Sequence, residues 1–169
     1  IETGTFAKLA AGSVTVRFGE TIVFAAVCRA NPREGIDFFP LQVEYRERRS
    51  AAGKFPGGFM KREGRPTNRE ILIARLIDRP LRPLFPLGFY DEVQLQIGVL
   101  SFENDPDMLA GIAASACVHI SDIPFISPTA HAKVARVDGK LVLFPTTEQL
   151  AMSDFELVVA GKKQVVNMI

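Results

Sequence analysis

The sequence predicts an α+β domain in which a mixed, mostly antiparallel sheet packs with two principal helices. Three observations carry that expectation. Short runs alternate apolar and polar residues, Gly19-Glu20 and Asp138-Gly139 supply hairpin turns between such runs, and two segments open with helix-start chemistry at Thr67 and Asp105. At 169 residues, 47% of them hydrophobic, the chain has the size of one domain with ample material for a core, and residues 1–169 are read as a single domain.

The elements follow in order. Val14, Val16 and Phe18 point one way, Gly19-Glu20 turns, and Thr21 to Cys28 runs on as a more buried strand. Asn31 to Gly35 is a loop, and Phe38 to Tyr45 is a strand with Pro40 at an edge or bulge. Thr67-Asn68-Arg69-Glu70 is a capping box, so a helix starts there, buries Ile71, Ala74, Ile77 and Leu81, and ends or kinks near Arg79 because Pro80 follows. Val93 to Phe102 is a strand. A second helix takes Asp105 as its cap and Pro106 as its first residue, and its run of Ala, Gly and Ser to Ile120 implies very close packing. Lys133 to Phe144 is a hairpin, Phe155 to Ala160 a strand, and Gly161-Lys162-Lys163 turns into Val165 to Ile169.

Composition narrows the function. No apolar run approaches a membrane span and no leader pattern opens the chain, so a cytoplasmic protein without a membrane partner is expected. Cys28 and Cys117 sit in apolar surroundings and are read as buried free thiols; His119 and His131 lack ligand-spaced neighbours and are read as satisfied or exposed imidazoles. The chain opens without methionine on Ile1-Glu2-Thr3-Gly4 and closes on an apolar run, so it is expected to be part of something longer, truncated at both ends.

The net charge of +1 conceals a polarity. Eleven of the twenty basic residues lie between Arg46 and Arg82, opposed only by Glu47, Glu63, Glu70 and Asp78, which gives this segment +7. Such an asymmetry predicts a polyanionic partner. Its loop, Ala51 to Arg65, carries four glycines together with Phe55, Phe59 and Met60 beside Lys61, Arg62 and Arg65. Rings that stack on bases and cations that follow phosphates suit single-stranded nucleic acid; the competing reading tucks Phe55 and Phe59 into the core. Arg75, Arg79 and Arg82 would share a helical face, either for phosphate contacts or for an ion-pair network with Asp78. Arg46 and Arg48 would fall on one strand face and Arg49 on the other. No Walker loop, GxGxxG, HExxH or CxxC occurs, and no aspartate cluster stands out as a magnesium site, so the residues support RNA or another polyanion as ligand and give no support for autonomous catalysis.

The run from Asp37 to Phe89, DFFPLQVEYRERRSAAGKFPGGFMKREGRPTNREILIARLIDRPLRPLFPLGF, resembles the first (N-terminal) RNase PH-like core domain of the bacterial polynucleotide phosphorylase family, the polyribonucleotide nucleotidyltransferases. NDPDMLAGIAASACVHISDIPFISP, LVLFPTTEQL and LVVAG extend the likeness over essentially the whole chain. The resemblance implies an RNase PH-like (ribosomal protein S5 domain 2-like) fold. It also implies a parent enzyme, a reversible 3′-to-5′ exoribonuclease that cleaves RNA with inorganic phosphate as co-substrate and releases nucleoside diphosphates. That parent is a homotrimeric ring whose subunits carry two such domains, a helical linker, and KH and S1 domains. RNA-degradosome proteins are candidate partners. Its Mg2+ and phosphate site is expected in the second core domain, outside this chain, which leaves no catalytic residue here and an inactive isolated fragment.

Within this domain the family's RNA loop has two aromatics followed by two basic residues. Here it reads Phe59-Met60-Lys61-Arg62: Phe59 and Arg62 match, Lys61 keeps charge without the guanidinium fork, and Met60 replaces a ring, with Arg65 close behind. Arg75, Arg79 and Arg82 sit where related domains place arginines near phosphate or RNA, and the trimer interface is the other use for them. Two further readings stand beside this one: a non-catalytic, RNA-binding ring subunit of an exosome-type assembly, and a structural role without RNA.

Overall fold

The computed structural model describes residues 1–163 and 165–169, and it divides the expected sheet into two. The first sheet orders its strands β1 (Glu2–Thr3), β2 (Gly12–Phe18), β3 (Thr21–Ala30), β5 (Glu92–Ser101) and β4 (Leu41–Arg46). The second orders them β7 (Lys140–Leu143), β6 (Ala130–Val137), β8 (Phe155–Lys162) and β9 (Val165–Met168). Pairing is antiparallel throughout except between β4 and β5. The mixed, mostly antiparallel character is therefore as the alternation implied.

In β3, Val23, Ala25 and Val27 face the core. The period of two that buries them turns Cys28 to the other face, where it is exposed; the expectation of two buried thiols holds for Cys117 alone. β4 begins three residues later than expected, at Leu41, because Pro40 has no N–H for a ladder; its carbonyl still accepts from Val93 N at 3.2 Å. At the β6–β7 turn, Asp138 (φ 49°) and Gly139 (φ 75°) are both left-handed, as a two-residue hairpin turn of matching twist requires. Gln164, which follows the turn expected at 161–163, lies outside the described residues.

Helix α1 (Asn68–Leu81) starts at the Thr67–Glu70 capping box. Its buried residues include Ile73, Ile77 and Leu81, one face at i, i+4 and i+8, whereas Ile71 is exposed. The helix continues through Pro80 to Leu81, since a proline in the last turn forfeits only one backbone bond, and a 3-10 turn over Arg82–Leu84 follows. Helix α2 (Asp107–Ile120) starts one residue later than expected, with Pro106 at the cap position; Asp105 Oδ1 still accepts from Asp107 N at 3.3 Å while its carboxylate pairs with Arg69 and Lys133. Its small residues do what their size suggested. Ala110, Ala113, Ala114 and Cys117 are fully buried against the first sheet, and Cys117 Sγ donates to Gly12 O at 3.2 Å. A short third helix, α3 (Thr147–Ala151), was not anticipated, although Thr146 and Gln149 form a second capping box.

α2 also reaches β6, and there Gly111 leaves room for His131; a β-carbon at 111 would overlap the imidazole. His131 is buried, with Nε2 3.2 Å from Thr129 Oγ1 and Nδ1 without a partner, so it is neither exposed nor fully satisfied. Burial lowers its pKa from 6.5 to about 4. The folded chain therefore holds the neutral ring while the unfolded chain takes up a proton below 6.5. Stability is fully present above that pH and declines as pH falls toward the folded value, by about 3 kcal/mol once both are passed. Between pH 7 and pH 4 the urea midpoint of the wild type should fall relative to that of His131→Leu; parallel profiles would remove the imidazole as the source.

Candidate nucleic-acid interface

β4 and α1 bracket the loop that holds most of the basic segment. Its rings do not return to the core. Phe55 is 89% exposed, Phe59 99% and Met60 66%, which overturns the reading in which Phe55 and Phe59 are tucked away. Gly58 (φ 79°) and Lys61 (φ 50°) are left-handed, so the chain reverses on both sides of Phe59 and presents it at a tip. Lys54, Lys61, Arg62 and Arg65 make no ion pair among the described residues. An unpaired cation beside an open ring is what a single strand needs, because phosphate and base are then met together.

The base of the loop is ordered by contrast. Arg46 Nη2 donates to Gly64 O at 3.2 Å, and Arg49 N donates to Glu63 Oε1 at 2.9 Å. Glu70 Oε1 accepts from Glu47 N at 2.8 Å, and Oε2 accepts from Thr67 N at 2.7 Å and from Thr67 Oγ1 at 2.9 Å. Burial opposes the charge on Glu70, but these donors and Arg46 outweigh it and hold the carboxyl below its usual range. Arg46, Arg48, Arg49 and Arg65 line a hollow of about 340 Å³ at this base.

The three helix arginines separate. Arg75 and Arg79 are exposed and, among the described residues, unpaired. Arg82 stands one residue beyond the helix as its C-cap. It binds Asp78 at 2.8 Å, donates to Phe39 O at 3.0 Å and Leu41 O at 3.1 Å, and lies 5.9 Å from the Phe39 ring centroid. Its guanidinium bolts the end of α1 to the start of β4, so the ion-pair alternative describes Arg82 and leaves Arg75 and Arg79 free.

One cluster was invisible in the sequence. Lys133 Nζ lies 2.8 Å from Asp105, 2.7 Å from Asp107 and 3.1 Å from Glu156, while Arg69 joins Asp105 at 2.6 Å to Glu47 at 3.3 Å. Burial and the neighbouring Asp105 push the Asp107 carboxyl up. Burial also opposes the Asp105 charge, yet Lys133 and Arg69 hold its carboxyl down. Magnesium does not fit here: the ammonium of Lys133 occupies the point on which the three carboxylates converge. A cleft of about 170 Å³, walled by Phe18, Met108, Leu109, Ile112 and Phe144, lies over this cluster.

Comparison with known proteins agrees with this architecture. Domain 1 of the 3′ exoribonuclease family matches residues 1–124 and domain 2 of the same family matches residues 127–169. The break falls between α2 and β6, where the first sheet gives way to the second. A polyribonucleotide nucleotidyltransferase of Rhodopirellula baltica is 55% identical over 170 residues, 99% of this chain and 23% of its own length. One from Gemmatimonas aurantiaca is 57% identical over 171 residues, 100% of this chain and 23% of its own. The chain thus spans about a quarter of the length of these curated relatives. Among solved structures, a chain of the Archaeoglobus fulgidus exosome with RNA bound to the active site superposes with a TM-score of 0.73 at 20% identity, covering 98% of this chain and 73% of that one. Rice (Oryza sativa) Rrp46 gives 0.74 at 15% identity, covering 94% and 71%. At such identities the likeness is one of fold.

Proposed function

The chain belongs to the 3′ exoribonuclease family, and we propose that it is the first RNase PH-like core domain of a phosphate-dependent 3′-to-5′ exoribonuclease, a polyribonucleotide nucleotidyltransferase. The observation that carries this reading is identity of 55–57% along the whole chain to proteins of that name. The archaeal exosome chains share the fold at 19–20% identity, which does not favour the non-catalytic ring subunit.

In this reading the domain grips RNA. Phe59, exposed at the loop tip, stacks on a base, with Met60 lying against the next; Lys61, Arg62 and Arg65 neutralise phosphates. Arg75 and Arg79 have donors free for further phosphates or for a neighbouring subunit of a homotrimer. The reaction itself, attack of inorganic phosphate on the terminal phosphodiester with departure of the shortened RNA's 3′-oxygen, is assigned to groups elsewhere in the parent protein, magnesium included. A cytoplasmic setting and degradosome partners follow from the same reading.

Phosphorolysis tests it. The parent protein, given single-stranded RNA, inorganic phosphate and magnesium, should release nucleoside diphosphates from the 3′ end, while residues 1–169 alone release none. Release of monophosphates without added phosphate would point to a hydrolase instead.

A further inference from the structure

Glu70 does more than a capping box asks of it. One oxygen completes the box with Thr67; the other accepts from Glu47 N at 2.8 Å, at the opposite end of the loop. Thr67 is the last residue before α1 and Glu47 the first after β4, so a single carboxylate, 6% exposed, holds both ends of the segment that carries Phe59 to Arg62. We propose that Glu70 is a positioning residue for RNA: it closes the base of the loop and thereby fixes where the ring and cations of the tip stand. This rests on the reading of that loop as the RNA grip.

The physical case is one of loop entropy. The segment contains Gly53, Gly57, Gly58 and Gly64, and a glycine-rich loop samples widely unless its ends are pinned. The other bonds that link the two ends, Arg46 to Gly64 O, Arg49 N to Glu63 and Arg69 to Glu47 Oε1 at 3.3 Å, are exposed and correspondingly weak. Glu70 alone is buried, and its two oxygens are fully committed to donors from the two ends. Glutamine, of the same shape, must turn its amide NH2 toward one of those N–H donors and release that end. Aspartate keeps the charge but is one methylene too short to reach both.

The test uses the parent protein with Glu70→Gln, Glu70→Asp, the Lys61→Ala/Arg62→Ala pair, and Glu70→Gln added to that pair. Glu70→Gln should weaken long single-stranded RNA about tenfold and speed tryptic cleavage at Lys61 and Arg62 by a similar factor, the lower end of the effect of one lost charged hydrogen bond. Glu70→Asp should not restore either. In the Lys61→Ala/Arg62→Ala background Glu70→Gln should cost less affinity than in the wild type, because part of its influence runs through those side chains and only the share carried by Phe59 and Arg65 is left. An equal loss in both backgrounds, or full rescue by aspartate, overturns the proposal. If the alanine pair alone leaves affinity unchanged, the loop reading fails, and cleavage still reports on the clasp. Should Glu70→Gln not fold, amide exchange in the wild type decides: the Glu47 and Thr67 amides should be protected alike, and a freely exchanging Glu47 amide would refute the closure.

Discussion

Lys61→Ala combined with Arg62→Ala is expected to weaken binding of long single-stranded RNA by the parent protein about 10- to 100-fold at low salt and to lower the salt slope by about 1.4, the share of two phosphate contacts. The reason lies in the surroundings of the two side chains. Neither has an acidic partner among the described residues, so both spend their charge on solvent or ligand, and their removal costs the fold little. Phe59→Ala should act differently. It removes a stack worth roughly 1–3 kcal/mol and leaves the slope alone. Titrations at several salt concentrations separate the two contributions. A slope unchanged in the Lys61→Ala/Arg62→Ala variant would take this loop out of the RNA path.

The largest effect on stability is expected at Lys133. Replacing it with methionine preserves much of its volume but leaves Asp107 and Glu156 without a cation and Asp105 with Arg69 alone. Breaking a buried ion pair by removing one partner costs about 3–5 kcal/mol, a large share of a domain's net stability. Because Asp107 is the most buried of the three carboxylates and is already pushed toward protonation, Asp107→Asn in the same background should recover part of the loss. Denaturant unfolding measures both. A neutral Lys133→Met would mean that the cluster contributes nothing to the fold.

What could be read in advance was local. The Thr67 capping box, the Asp138-Gly139 turn and the small-residue helix depend on neighbours within a few positions; the box and the turn appear where expected and the helix starts one residue later. α3 is equally local: Thr146 and Gln149, three positions apart, form its capping box. Ile71 was misassigned because α1 has apolar residues at 71, 72, 73, 74, 76 and 77, so periodicity alone permits several faces and the packing against β4 chooses Ile73 and Ile77. The Lys133 cluster was beyond reach. Its members lie on α2, β6 and β8 and the turn before α2, and Lys133 is 28 positions from Asp105. The exposure of Phe59 lay between these cases: glycines signalled a loop, but only its three-dimensional course showed that the ring points outward.

The Arg82 bolt has a kinetic corollary. Of the eleven cations between Arg46 and Arg82, only Arg46, Arg69 and Arg82 are consumed by carboxylates among the described residues, and eight remain free. Spread over the loop and the outer face of α1, those eight form a field that acts before contact, raising the rate of encounter with a polyanion and fading with ionic strength. The ring at the tip cannot act at a distance; it governs how long a captured strand stays. Capture and retention are thus written into different residues, and each can be tuned without the other.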